Sequence, residues 1–166
     1  MIDRRRERAS MPTFKACIAA TQHLEWRPGL QAITSAEGGG QVTGQDPGSL
    51  LGGAAIDTDS RALHPNASRW DYVIGYARAS GAHAYFIEVH SAETTDVSVV
   101  EKKLKWLLDD YLRADSQQAL AKLPRELHWV ASGRINIPQH LPQYRKLRTT
   151  LRKRVLRGPV KQLTLT

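Results

Sequence analysis

Apolar positions first take helical spacing at Phe14, Cys17, Ile18 and Leu24, and the pattern stops at Arg27-Pro28, because the residue before a proline disfavours the helical region. A first helix is expected over 13–25. Pro28 suits the first turn of a second, short helix, in which Leu30, Ile33 and Glu37 fall at i, i+3 and i+7 before Gly38-Gly39-Gly40 ends it. Glu37 thereby shares a face with two core residues. Residues 38–53 hold seven glycines, one proline and few large apolar groups. Such a stretch buries too little surface to offset its ordering entropy, so a flexible loop is expected there. A phosphate-binding loop is excluded, since that motif ends in Gly-Lys-Ser/Thr and here Gly53 leads into Ala54-Ala55-Ile56.

The period then changes. Residues 70–77 and 84–90 are β-branched and aromatic runs separated by the small, turn-forming Ala79-Ser80-Gly81-Ala82, which predicts two adjacent antiparallel strands. Ser91–Asp96 supplies capping residues. After them Val97, Val100, Leu104, Leu107, Leu108 and Tyr111 recur at i, i+3 and i+4 to about Arg113, the clearest helix in the chain. Residues 126–132, centred on Trp129 and Val130, read as a third strand. Pro138 and Pro142 introduce a final amphipathic helix with Tyr144, Leu147, Leu151 and Val155 on one face, closed by Gly158-Pro159. The fold class expected is α/β, a small mixed central sheet with a β-hairpin, flanked by helices.

Length and composition narrow the setting. A chain of 166 residues with a single cysteine buries roughly 70% of its unfolded surface and needs no disulfide or structural metal. Cys17, on an apolar helical face, reads as a buried hydrophobe and not a nucleophile. The cysteine count points to a reducing, cytoplasmic setting, where Asn66-Ala67-Ser68 is not a glycosylation acceptor. No apolar run approaches the ~20 residues of a membrane helix, and no integral membrane segment is expected. His83, His90, His128 and His140 lack zinc-site spacing. The tryptophans and tyrosines are assigned to packing.

The net charge of +8 is unevenly divided: +2 over residues 1–8, −3 over 9–126, and +9 over 127–166, where nine bases meet no acid. Residues 1–12 thus read as a basic arm, 13–140 as a single α/β domain, and 141–166 as a basic helix and tail. Such asymmetry points to a polyanionic partner. Within the last helix Arg145, Arg148 and Arg152 line one flank of the apolar stripe, with Lys146, Lys153 and Arg157 on the opposite face and Arg154 among them. Charge on both flanks suits phosphates and also an anionic membrane surface. The scarcity of aromatic anchors after Trp129, with only Tyr144, favours nucleic acid.

The candidate chemistry lies in the hairpin. Asp71 opens one strand, and Glu88 stands seventeen residues later near the end of the next, with His90 two positions on and therefore on the same face. A hairpin brings Asp71 beside Glu88. Two carboxylates converging on one spot repel unless a proton or cation intervenes, and a hard divalent ion suits them. Simpler readings stand beside this one: Asp71 as a turn or capping residue, Glu88 as the partner of an arginine such as Arg78, His90 as a hydrogen-bonded strand-end histidine.

Asp71, the hairpin, Glu88-Val89-His90, the following helix and the strand around Trp129 resemble the core of the PD-(D/E)xK nuclease superfamily over about residues 56–132. The resemblance implies a restriction-endonuclease-like αβββαβ core and metal-dependent hydrolysis of nucleic acid. It implies that Asp71 and Glu88 bind Mg²⁺ or Mn²⁺ with help from the Val89 carbonyl, and that Glu37 is the further acidic residue some members place on the preceding helix. His90 occupies the position of the motif lysine. Where members move that lysine to the neighbouring helix, Lys103, at the edge of the apolar stripe, is the counterpart. Arg69-Trp70 replaces the expected proline. The alternative function is a nuclease-fold module without catalysis that binds nucleic acid or a protein partner.

Overall fold

The central hairpin organises the fold. A computed structural model describes residues 13–33, 39–114 and 118–166. In chain order these form α1 (Phe14–Ala19), β1 (Val42–Gly44), β2 (Leu50–Ala54), α2 (Ile56–Ser60), β3 (Tyr72–Arg78), β4 (Gly81–Glu93) and α3 (Asp96–Lys105). They continue with α4 (Gln118–Ala121), β5 (Arg125–Asn136), α5 (Pro142–Lys146), β6 (Leu156–Val160) and β7 (Leu163–Leu165). Strands β3 and β4 pair antiparallel with Tyr72 opposite Ile87 and Arg78 opposite Gly81, so their extension sets Asp71 beside Glu88. The turn closes on Gly81 at φ 116°, a conformation open to glycine and costly elsewhere.

The main sheet has the order β2-β3-β4-β5-β6. Its first three strands are antiparallel neighbours, whereas β5 and β6 each run parallel to the strand before them in the sheet. A parallel pair needs a crossover, which α3 and its π-helical continuation Trp106–Tyr111 supply between β4 and β5. The fold is thus mixed α/β, a five-stranded mixed sheet with a central hairpin and flanking helices. Apart from β1 and the short α2 and α4, the order through β5 is helix, three strands, helix, strand.

Strand alternation sorts the core into two layers. Val73, Phe86 and Trp129 face the layer that holds Phe14, Leu104 and Leu107. Tyr72, Ile74, Tyr85, Ile87 and Val130 face the other way, toward Val42, Leu163 and Leu165 of the parallel pair β1–β7. Helix α1 lies close on β3 because position 75 is glycine: a Cβ there would run into the Phe14 ring. Cys17 is fully buried in the helix-side layer.

Three elements differ from expectation. The first helix stops at Ala19 and not at 25; the Thr21 hydroxyl donates to the Cys17 carbonyl, and the chain turns so that Arg27 exchanges two backbone hydrogen bonds of 2.8 Å with Gly53. Residues 28–33 make turns in place of a second helix, and Glu37 lies outside the described residues. The glycine-rich segment is no flexible loop in its described part, 39–53. It supplies β1 and the edge strand β2, where Gly52, at φ 87°, lets the Trp26 indole approach and donate to the Leu51 carbonyl. Ladder bonds to β3 and the contact with Trp26 provide what side-chain burial does not.

The last helix also ends early. After Pro142–Lys146 and a π-helical stretch Leu147–Leu151, Gly158-Pro159 lies inside strand β6, which pairs with β5 at Leu127–Leu156, His128–Arg157 and Val130–Val160. Proline is tolerated because β6 is an edge strand. Residues 141–166 therefore complete the sheet and cover its second face. No helix among the described residues is long and apolar enough to cross a membrane.

Candidate functional site

Glu88 points from β4 into the helix-side layer and is fully buried. An ionised carboxylate there is costly without a partner. Helix α3 provides one: Val97, Val100 and Leu104 bury its inner stripe, and Lys103, on the flank of that stripe, reaches down to the sheet. Its Nζ donates to Asp71 Oδ1 at 3.0 Å and makes a short contact with Glu88 Oε1. The second oxygen of Asp71 accepts from the Val89 backbone N–H at 2.9 Å. The second oxygen of Glu88 is buried with no hydrogen-bond partner among the described residues. Side-chain exposures of 16% for Asp71 and 18% for Lys103 show that this pair reaches the edge of a cleft, whereas Glu88 lies behind it, fully buried and outside the cleft lining.

The charges do not balance. Two carboxylates share one ammonium, and burial followed by the charge of Asp71 pushes the Glu88 carboxyl well above its ordinary range despite Lys103. Asp71 is also raised, chiefly by burial. Burial lowers the Lys103 ammonium, but the two carboxylates outweigh it and hold the group above its usual value. A site with surplus negative charge and an orphaned oxygen is one that attracts a further proton or cation.

The cleft in front holds about 380 Å³ and is lined by Asp57, Thr58, Ser91 and Ser132 as well as Asp71 and Lys103. Asp57, in the first turn of α2, was not distinguished by the sequence pattern. Its carboxylate accepts from Arg69 Nε at 2.7 Å and Arg61 Nη2 at 3.0 Å; burial raises it, but these two guanidiniums hold it below the ordinary range. Its backbone N–H donates to the Asp71 carbonyl at 3.3 Å. The one sequence signal was the polar run Asp57-Thr58-Asp59-Ser60 directly after the apolar Ala54-Ala55-Ile56.

Of the residues singled out in sequence, Asp71, Glu88, Val89 and Lys103 come together. His90 also lines the cleft, but its Nε2 is turned to Asp96 Oδ1 at 3.5 Å and lies outside the carboxylate–lysine cluster. Arg78 is not the partner of Glu88; it pairs with Glu126 at 2.9 Å. Among the described residues no group of three or more His, Cys, Asp or Glu side chains is arranged to hold a metal ion. No known family model, curated protein or solved structure matches the chain. Its chemistry must be read from these residues alone.

The basic tail divides. Lys146 forms an ion pair with Glu101, Arg154 with Asp109 at 2.7 Å, and Arg157 with Glu126 at 2.9 Å. Arg145, Arg148, Arg152 and Lys153 are exposed and make no ion pair among the described residues.

Proposed function

We propose that the protein is a divalent-metal-dependent phosphodiesterase acting on nucleic acid, on a core resembling the PD-(D/E)xK nucleases. The observation that carries this reading is the convergence of Asp71 Oδ1 and Glu88 Oε1 on one cationic point, the Lys103 ammonium, with the remaining Glu88 oxygen buried and without a hydrogen-bond partner among the described residues. The donors suit Mg²⁺ or Mn²⁺: both are hard carboxylates, and such ions draw the rest of their shell from water and substrate phosphate. Asp71 and Glu88 would hold the ion, with the Val89 carbonyl as a further donor. Bound there, it would polarise the scissile phosphate and lower the pKa of a nucleophilic water.

The chain's own part is electrostatic and positional. Lys103, supplied from α3, takes the role the motif gives to a strand lysine: its charge lies at the cleft mouth, where it orients a water or a phosphate oxygen. His90, which lines the cleft with its Nε2 turned to Asp96, is the second candidate for positioning that water. Purified protein incubated with plasmid, single-stranded DNA and RNA in Mg²⁺ or Mn²⁺ should cleave at least one of them, and Asp71→Ala and Glu88→Ala should abolish cleavage. Activity that survives both substitutions sinks the assignment.

One observation favours a second reading. Lys103 already bridges the two carboxylates, as a structural ion triad would in a nucleic-acid- or protein-binding module without catalysis. Metal-independent, salt-sensitive binding with no turnover on any of the three substrates selects that reading.

A further inference from the structure

A second, wider groove lies outside the carboxylate–lysine cleft. It holds about 930 Å³ between the α5 segment and the β6 edge; Ile135, Ile137, Tyr144 and Leu147 contribute its apolar wall, and Arg148, Arg152 and Arg157 also line it. Arg148 and Arg152, one helical turn apart, are exposed guanidiniums without an ion pair among the described residues, whereas Arg157 is shared with Glu126. The unneutralised charge of the tail is thus partly gathered at an apolar hollow.

A second observation lies at the same place. Val155 lines the groove, is 63% exposed and has φ 66°. A β-branched residue in the left-handed region is a strained outlier, and strain of this kind persists at ligand clamps, where the surroundings enforce it. An exposed valine in that conformation adds nothing to the core, but it adds apolar surface to the groove.

We infer that this groove binds single-stranded nucleic acid, with bases against the Tyr144–Ile137 wall and phosphates on Arg148 and Arg152. A duplex turns its bases inward and would press phosphates onto the apolar wall; a single strand offers bases for apolar and aromatic contact and phosphates for the guanidiniums. The volume falls in the range of sites that enclose small-molecule-sized groups, enough for a base and its neighbours. A membrane surface is the poorer match, because Tyr144 is the only aromatic residue among the described residues that line the groove, whereas interfacial segments carry several aromatic anchors. Strand β5 connects the cleft to the groove: Ser132 lines the cleft and Ile135 the groove, at most about 10 Å apart at ~3.3 Å per residue, and less where β5 bulges against β4 between Ala131 and Ile135. A strand held in the groove therefore leads toward Asp71 and Lys103. That delivery rests on the phosphodiesterase reading, whereas the binding itself does not.

The test is fluorescence anisotropy in EDTA with the full chain and a labelled 12-nucleotide DNA, the same sequence as RNA, and the DNA duplex. At least one single strand should bind about tenfold more tightly than the duplex, and Arg148→Glu/Arg152→Glu should weaken it about tenfold or more. A charge-matched Arg145→Glu/Lys153→Glu variant, altered away from the groove, should weaken it by about threefold or less. Val155→Asn should weaken binding several-fold while raising Tm, since asparagine tolerates the left-handed region; a merely structural valine would not separate the two readouts. Equal affinity for duplex and single strands, binding indifferent to Arg148 and Arg152, or preference for phosphatidylserine vesicles over every oligonucleotide overturns the inference. Because EDTA removes cleavage from the measurement, Arg148- and Arg152-dependent binding together with absent Mn²⁺-dependent cleavage supports the groove and overturns only the phosphodiesterase reading.

Discussion

The hairpin carries a polar cluster at each end, and the two resolve the burial of a carboxylate in opposite ways. At one end Glu88 and Asp71 share a single ammonium. At the other, Glu126 on β5 receives Arg78 Nη2 and Arg157 Nη1, each at 2.9 Å, and lies 3.0 Å from His128 Nε2 and 3.5 Å from His83 Nε2. Burial pushes Glu126 up, but the hydrogen bonds of His128 and Arg78 and the charge of Arg157 hold it below the ordinary range. Glu88 is driven the other way by burial and by its acidic neighbour. A buried carboxylate is therefore no sign of a reactive site in itself. What separates the ends is depth of burial together with the ratio of acids to cations: Glu126 is only partly buried and saturated, and its cluster ties strands together, whereas Glu88 is fully buried and the Asp71–Glu88 pair is short of positive charge.

The sharpest way to break that contrast is catalytic. Glu88→Gln should lower Mn²⁺-dependent oligonucleotide cleavage by at least about 100-fold, as expected when a metal-holding interaction is lost, while Glu126→Gln should stay within about threefold; a gel assay showing equal losses would remove the distinction. Next in size is stability. Lys103→Met leaves two buried carboxylates without their cation and should cost about 3–5 kcal/mol near neutral pH, read by urea denaturation. Glu126→Gln should cost less, about 1–3 kcal/mol, because its partners lose a charged acceptor but several stay near water.

The pH dependence should have opposite signs at the two ends. Glu88 is raised in the fold, so the folded state binds its proton before the unfolded chain does, and stability falls as pH rises from the unfolded value of about 4.3 through the folded one. Glu126 is lowered, so its contribution is present above about pH 4.3 and is lost as pH falls through its folded value. Glu88→Gln should flatten the loss on the alkaline side and Glu126→Gln the loss on the acid side, measured as denaturant midpoints across pH 3–8. The last contrast is ligand linkage. Mn²⁺ at about 100 times its Kd should stabilise the wild type by about 2.7 kcal/mol at most, and Asp71→Asn should lose that shift.

Much of this was legible along the chain. Alternation and helical spacing located β3, β4, α3 and β5, since each buries a regular face and periodicity records burial. The hairpin register followed from the short turn, and with it the approach of Asp71 to Glu88. Lys103 stood at the edge of the apolar stripe, which is why its reach to the sheet could be anticipated. Asp57 could not be, because its place beside Asp71 depends on how α2 returns to the start of β3, a contact between chain segments with no repeating pattern.

The sequence by itself determined the elements whose own side chains supply their stability, and the total charge that any partner meets. Only the tertiary structure decided the rest. It made edge strands of the glycine-rich segment and of Leu156–Val160, because a strand with few apolar groups is held by its neighbour's backbone and not by its own pattern. It also decided which basic residues are neutralised. Glu101, Asp109 and Glu126 are distant in sequence from Lys146, Arg154 and Arg157, and charge pairing follows distance in space, so only folding leaves Arg148 and Arg152 beside an apolar groove with no ion pair among the described residues.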